Sequence, residues 1–161
     1  LFHAIDGLVL TIQNRKARPV KYVVEKGSAN SSWSSRNMAL LGTILLVFIV
    51  THMQHFWYVM HFGEVGHVLI GGESIKDLHT VVVDFFNPAK NSMAGVMVGL
   101  YVFAMAAMAY HLQHGFSSAF QSLGLNHPTY TPIIKKLGTA FCILVPLAFA
   151  SIPLFLFLNA Q

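Results

Sequence analysis

Charged residues are scarce in this sequence. Only 10% of its 161 residues are Asp, Glu, Lys or Arg, against roughly 25% in ordinary soluble domains. Hydrophobic residues make up 55% and are concentrated in long runs at residues 40–50, 96–110 and 137–158. Each run lies in a stretch that approaches the ~20 residues needed to span a bilayer. The sequence therefore predicts an all-α transmembrane helical bundle and argues against a soluble domain.

An initiator methionine and a signal-peptide pattern are also lacking. The sequence opens at Leu1 in the middle of an apolar segment. Residues 1–12 are too few to cross a bilayer. We therefore expect the first helix to be truncated and further sequence to precede it.

The apolar runs predict four membrane spans within a single membrane domain that covers residues 1–161. We place these spans at residues 1–14 (truncated), 35–60, 92–123 and 132–158. Pro132 suits the first turn of the last helix, and Pro146 and Pro153 are expected to kink it. Gly71-Gly72 and Asn87-Pro88 read as turns, and residues 28–35 read as a polar linker.

Basic residues are unevenly distributed between the loops. The loops that follow the first and third spans carry Arg15, Lys16, Arg18, Lys21, Lys26, Arg36, Lys135 and Lys136. The loop between the second and third spans carries four acidic residues against Lys76 and Lys90. Because lysine and arginine favour the cytoplasmic side, we place the first and last loops inside and the middle loop outside.

Three histidines lie inside the apolar segments. His3 and His111 are each followed four residues later by a glycine, and His52 lies in the second span. Ionisable side chains at membrane depth are costly and tend to be functional. Imidazole is the usual axial ligand of haem iron, and a glycine one turn away leaves room for a porphyrin face. The pattern therefore predicts a haem-binding membrane cytochrome b.

Helix geometry assigns depths to these histidines. His3 and His111 lie roughly 16 Å and roughly 20 Å from the inner ends of their spans, at a rise of 1.5 Å per residue. His52 lies roughly 24 Å outward of Arg36 by the same rise. We therefore expect one haem between His3 and His111, and a second haem held by His52 and a histidine upstream of Leu1.

His55 and His114 leave the ligand assignment open. Each lies three residues after a candidate ligand and so shares roughly one helix face with it. The glycine spacing favours His111 over His114. A zinc site is an alternative, but no third ligand has suitable spacing. Hydrogen-bonded core histidines are the plainer interpretation. Solvated loop histidines are predicted at His61, His67, His79 and His127.

The chain resembles the cytochrome b membrane-anchor subunit of succinate dehydrogenase/fumarate reductase, in its dihaem, five-helix bacterial form. The resemblance covers essentially the whole sequence. It rests on residues 2–7 (FHAIDG), 13–19 (QNRKARP), 41–43 (LGT), 51–52 (TH), 110–115 (YHLQHG) and 118–124 (SAFQSLG). It implies that four of an expected five spans are present, namely the second to the fifth.

The resemblance also implies a ligand set and a role. His3 and His111 would bind the proximal haem, and His52 would supply one ligand of the distal haem. The subunit would carry electrons between the iron–sulfur subunit and a membrane quinone, commonly menaquinone, through two b haems. Succinate or fumarate chemistry would occur in the partner flavoprotein. The implied location is the bacterial cytoplasmic membrane, and no nucleic-acid partner is expected.

Three charged residues are weaker site candidates. Asp6 is the only acid inside a predicted span; a structural hydrogen bond is the preferred interpretation over a role near haem or in proton movement. Arg15 and Arg36 would pair with haem propionates, contact the iron–sulfur subunit, or serve only as topogenic charges. Cys142 is the single cysteine, and no Cys-x-x-Cys-His motif occurs, so any haem is expected to be non-covalent.

Two rival classes remain open from the sequence. One is the cytochrome b anchor of another respiratory complex, of the hydrogenase or formate dehydrogenase type. The other is a haem-free membrane anchor or transporter in which the histidines relay protons or substrate.

Overall fold

The long apolar segments form long helices in the computed structural model, which describes residues 1–17, 20, 29 and 31–160. Among these residues, three helices are long and apolar enough to cross a membrane: α3 (Met38–Phe62), α5 (Ala94–Ser122) and α6 (Tyr130–Leu158). They are preceded by α1 (Phe2–Ala17) and a single turn, α2 (Trp33–Arg36). A mostly helical membrane protein is thereby confirmed.

Local sequence signals explain where the helices begin and end. Pro132 occupies the first turn of α6, as predicted. Pro146 and Pro153 both lie inside α6, which continues through them as one element. α5 ends at Ser122, and Gly124 just beyond it has a φ of 68°, the left-handed conformation that glycine adopts without strain. There the amides of Gly124 and Leu125 donate to the carbonyls of Gln121 and Phe120, two of the last carbonyl groups of the helix.

The chain divides into two compact units. Unit 1 comprises Leu1–Leu46 and Ala107–Ile143, and unit 2 comprises Val47–Ala106 and Leu144–Gln161. α3, α5 and α6 therefore contribute residues to both units.

Few side chains of unit 1 are buried. Leu41, Ala107 and Cys142 are its buried apolar residues within the described part of the chain. The ring of Phe116 on α5 lies against Gly138 of α6, where an added Cβ would overlap it. Glycine at position 138 leaves room for that ring.

Unit 2 has an aromatic core. Phe86, Val98 and Tyr101 are buried there and pack against partly buried neighbours that include Phe48 and Phe56. The carboxyl-terminal part of α6 joins this core through Leu156 and Phe157, which lie among the same partly buried neighbours.

The segment of unit 2 between α3 and α5 contains elements that the sequence analysis did not predict. Strands β1 (His67–Ile70) and β2 (Glu73–Lys76) pair antiparallel, with Ile70 opposite Glu73. The predicted turn at Gly71-Gly72 is confirmed, and both glycines have positive φ, 63° and 89°. A Gly-Gly pair is a usual connection for a two-residue hairpin turn.

A short helix, α4 (Leu78–Phe86), follows the hairpin. Asp77 caps it by accepting hydrogen bonds from the amide of Thr80 at 3.0 Å and from its hydroxyl at 2.6 Å. These bonds hold the pKa of the Asp77 carboxyl below its usual value. The predicted turn at Asn87-Pro88 follows α4 and is confirmed.

Several predicted loop assignments were wrong. His61 lies in the last turn of α3, His67 in β1 and His79 in α4, because the segment between α3 and α5 is itself folded. His127 does lie between helices, as predicted. Arg18, Lys21 and Lys26, which supported the predicted orientation, lie outside the described residues. So does part of the predicted linker at residues 28–35, whose last residues form α2.

Candidate haem-ligand sites

His3 of α1 and His111 of α5 face each other in unit 1. Their ring centroids are 6.1 Å apart and their ring planes are nearly perpendicular, at 87°. With metal–nitrogen distances of about 2 Å, two imidazoles on opposite sides of one metal ion have centroids about 6 Å apart. The spacing of this pair therefore matches that of two axial ligands.

One ring nitrogen of His111 is left without a partner. Its Nδ1 atom is buried and makes no hydrogen bond to any residue that the structure describes. Buried polar atoms in native proteins are nearly always paired, so such an atom calls for an explanation. Either a metal bond to Nδ1 itself or a polar group from another molecule at that atom would supply one.

Three glycines lie near this pair of histidines, in space or one helical turn away. A Cβ built on Gly42 of α3 would lie 3.5 Å from His111 Cε1, so the backbone of α3 passes directly beside the imidazole. A Cβ built on Gly7 or on Gly115 would meet no heavy atom within 4 Å. Both glycines are one helical turn from a histidine of the pair, and the space beside them is open, as a flat macrocycle would require.

The imidazole of His114 has a different neighbour from that of His111. Its Nε2 atom lies 3.4 Å from the hydroxyl of Ser118, one turn further along α5. The structure thus brings His3 to His111 and pairs His114 within its own helix. In the sequence, the glycine four residues after His111 likewise favours His111 over His114 as the ligand.

The charged candidates of unit 1 form no hydrogen bond or ion pair with this histidine pair. Asp6 is exposed, and its carboxylate makes no hydrogen bond or ion pair within the described residues. Arg15 is exposed in the last turn of α1. Arg36 is exposed and donates from Nη1 to the carbonyl of Ser31.

His52 and His55 belong to unit 2, where the helical path of α3 changes. The helix is α-helical from Met38 to His52, π-helical over Met53–Tyr58, and α-helical again over Val59–Phe62. A π-helical turn holds an additional residue and occurs frequently at functional sites. His52 is the last residue before this turn, and His55 lies within it.

Tyr101 of α5 is the shared neighbour of these two histidines. Its ring centroid lies 5.9 Å from that of His52 and 6.5 Å from that of His55. Its hydroxyl lies 3.4 Å from His55 Nδ1. Phe48 and Phe86 contact the same tyrosine edge-to-face at 5.1 and 5.2 Å.

The two sites differ in how well they fit a haem. The pair in unit 1 offers one imidazole from each of two helices. In unit 2 both imidazoles come from α3, and residues three apart on one helix share a face and cannot approach an iron from opposite sides. Unit 2 therefore offers one axial ligand from its described residues, and His52 is the one free of hydrogen bonds among them.

The sequence analysis missed Tyr101 and Gly42. A tyrosine in the middle of an apolar span was a usable signal, since a buried phenol needs a hydrogen-bond partner. The role of Gly42 had no such signal, because its importance lies in the approach of α3 to a residue far along the chain. Comparisons with protein-family models, curated proteins and solved structures found no match to this chain.

Proposed function

We propose that this chain is the cytochrome b membrane-anchor subunit of a succinate:quinone oxidoreductase of the bacterial cytoplasmic membrane. The observation that carries the proposal is the pair His3–His111, with ring centroids 6.1 Å apart on two helices and a buried, unpartnered nitrogen on His111. The sequence resemblance supplies the family, and the pair supplies a site with suitable chemistry.

In this proposal the residues of unit 1 hold and orient a b-type haem. His3 and His111 would hold the haem iron, and a haem so held would supply reversible transfer of single electrons. Gly7 and Gly115 leave room beside the ligands, and Gly42 admits the backbone of α3 beside the His111 ring.

His52 is the proposed ligand of the second haem. The resemblance assigns its partner ligand to a helix that precedes His3 in the family, and we assign that ligand to no residue of this sequence. His55 is engaged by the hydroxyl of Tyr101 and is the weaker candidate. His114 is likewise the weaker candidate beside His111.

The proposed partners follow from the family. By the resemblance, the partners would be a flavoprotein, an iron–sulfur subunit and a quinone, which we take to be menaquinone, and the haems would supply electron transfer between the iron–sulfur subunit and the quinone. The exposed guanidinium of Arg15 is free to meet a haem propionate or the iron–sulfur subunit, and the exposed side chain of Arg36 is available for the same contacts. Succinate or fumarate reacts in the flavoprotein, so this chain acts as the electron-transfer subunit.

Optical spectroscopy of the full-length protein, purified with its partner subunits, tests the proposal. We expect reduced-minus-oxidised bands of b-type haem, and we expect addition of succinate alone to reduce that haem. Bands that respond to formate or hydrogen and not to succinate would assign the chain to another respiratory complex. Absence of b-type bands would leave a haem-free anchor or transporter and would overturn the proposal.

A further inference from the structure

The hairpin of unit 2 leaves its apolar side chains exposed. Leu69 is 78% exposed, Ile70 62% and Ile75 42%. Val68 is half-buried, and the other strand residues are all exposed. Within the described part of the chain, the aromatic core of unit 2 includes no residue of either strand. The apolar side chains of the hairpin therefore lack a covering surface among the described residues.

A two-stranded hairpin gains from such a surface. Two paired strands on their own are marginally stable in water, and they are stabilised when an apolar face packs against something else. Residues that oppose each other in the ladder share a face. One face therefore carries Val68, Ile70, Glu73 and Ile75, of which three are apolar. The other face carries His67, Leu69, Ser74 and Lys76.

The base of the hairpin is joined to the end of a helix that is long and apolar enough to cross a membrane. Lys76 Nζ donates to the carbonyl of Met60, in the last turn of α3, at 2.5 Å. The amide of Asp77 donates to the carbonyl of Gly66 at 2.8 Å and closes the base of the hairpin. Residues 63–66 alone separate α3 from β1, and four residues span at most about 14 Å. The hairpin therefore begins at the level where α3 leaves the membrane.

The last turns of α3 also expose large apolar side chains. Trp57, Tyr58 and Phe62 are all exposed there. Tryptophan and tyrosine are concentrated where the hydrocarbon of a bilayer meets water. The exposed side chains of the hairpin thus continue a surface of α3 whose neighbour is lipid.

We propose that the hairpin is a membrane-surface element, whose Leu69 and Ile70 enter the headgroup region of the bilayer beside α3. Phospholipid is the partner that covers them. The exposed carboxylate of Glu73 lies directly opposite Ile70. Because a charged group is costly at membrane depth, the end of the hairpin reaches the boundary between headgroups and acyl chains and goes no deeper. The proposal requires that α3 crosses the membrane, and it does not depend on haem.

Fluorescence quenching in vesicles tests the proposal. Cys142 is 1% exposed and is the single cysteine, so a thiol-reactive fluorophore should label an introduced cysteine and leave the wild type unlabelled. We label Leu69→Cys and Ile70→Cys of the full-length protein in vesicles of phosphatidylcholine and phosphatidylglycerol. Nitroxides on the upper acyl chains should quench most of the fluorescence at both positions. Iodide, present on both sides of the membrane, should quench little of it.

Two matched controls sharpen the test. Lys90 is exposed in the turn that precedes α5, so a label at Lys90→Cys should be quenched by iodide and little by the nitroxides. Removal of the carboxylate that limits the depth should let the end of the hairpin sink. In Glu73→Leu the strongest quenching of the label at position 70 should therefore shift to nitroxides further down the acyl chain. Glu64→Leu removes an acid outside the hairpin and should cause no such shift.

Two results would overturn the proposal. Iodide quenching at positions 69 and 70 as strong as at position 90 would place the hairpin in water. Protection from both quenchers would mean that protein, either a partner or a second copy of the chain, covers it. Ile70→Cys decides the matter should Leu69→Cys fail to fold. Either result leaves the proposed function standing, whereas lipid quenching in a protein without b-type haem would refute that function and support this proposal.

Discussion

In unit 1 the two candidate histidines come from α1 and α5 and face one another, whereas in unit 2 both histidines lie on α3 and contact one tyrosine. The first arrangement leaves a buried nitrogen of His111 without a partner in the described chain. The second engages His55 through Tyr101 and surrounds His52 with rings. Unit 1 therefore has an incomplete polar site, and unit 2 has an aromatic cage that is already packed.

Side-chain packing is also looser in unit 1 than in unit 2. α1, which carries His3, has no buried residue, and Leu8 and Leu10 are 62% and 57% exposed. In unit 2 the core around Tyr101 joins residues of α3, α4, α5 and α6. The His3–His111 pair is therefore held by fewer packing contacts than the residues around His52.

The largest expected effect is the loss of a haem from unit 1. Replacing His111 by alanine removes one of the two proposed ligands, and a bis-histidine iron needs both for its low-spin state and its full retention. We expect His111→Ala to lose one of the b-type haems and His114→Ala to keep both, as measured by haem content per subunit. Loss of haem from the His114 variant alone would show that the other member of the motif is the ligand.

A smaller effect is expected where the open space beside the pair is filled. Gly115 and Gly99 both lie on α5, and a Cβ at either would meet nothing within 4 Å. Only Gly115 is one turn from a proposed ligand. Gly115→Leu should therefore lose most of the haem of the His3–His111 site, while Gly99→Leu should bind haem as the wild type does. Equal haem content in the two variants would mean that the space beside Gly115 faces lipid only.

Alanine substitutions at two helical glycines, one in each unit, should change the thermal stability of the protein differently. A Cβ at Gly138 of unit 1 would overlap the Phe116 ring, whereas a Cβ at Gly95 of unit 2 would lie 3.6 Å from Phe157 Cζ. Overpacking costs about 1–3 kcal/mol, which exceeds the roughly 0.5–1 kcal/mol that alanine contributes over glycine in a helix. We expect Gly138→Ala to lower the thermal unfolding midpoint in detergent and Gly95→Ala to leave it unchanged or raise it. Equal midpoints would contradict the contact between the Phe116 ring and Gly138.

The smallest expected effect concerns the cap of α4 in unit 2. The pKa of Asp77 is lowered by its hydrogen bonds from Thr80. The stabilisation of the cap is thus fully present above the usual carboxyl pKa of about 3.9 and is lost as the pH falls through the lowered value. Amide exchange in α4 should accelerate over that acidic range in the wild type. In Asp77→Ala it should already be fast at neutral pH; a rate in this variant equal to that of the wild type would show that the cap contributes nothing.

Much of the helical framework could be predicted from hydropathy alone. The apolar segments predicted at 35–60, 92–123 and 132–158 correspond to α3, α5 and α6, because a long run of apolar residues has few other ways to satisfy its backbone in a membrane. The hairpin was missed although Gly71-Gly72 marks its turn, since strands of four residues give a weak periodic signal. The π-helical turn was also missed, because nothing in residues 53–58 distinguishes it from a regular helix.

The sequence by itself determined the class of this protein, the apolar helices and the histidines placed within them, since composition and local spacing are enough for these. The tertiary structure alone decided which side chains meet: His111 with His3 and Gly42, and His55 with Tyr101. Such contacts join residues that are far apart in the chain. They depend on how helices rotate and approach one another, and small residues and a single widened turn control that packing in ways that local sequence does not reveal.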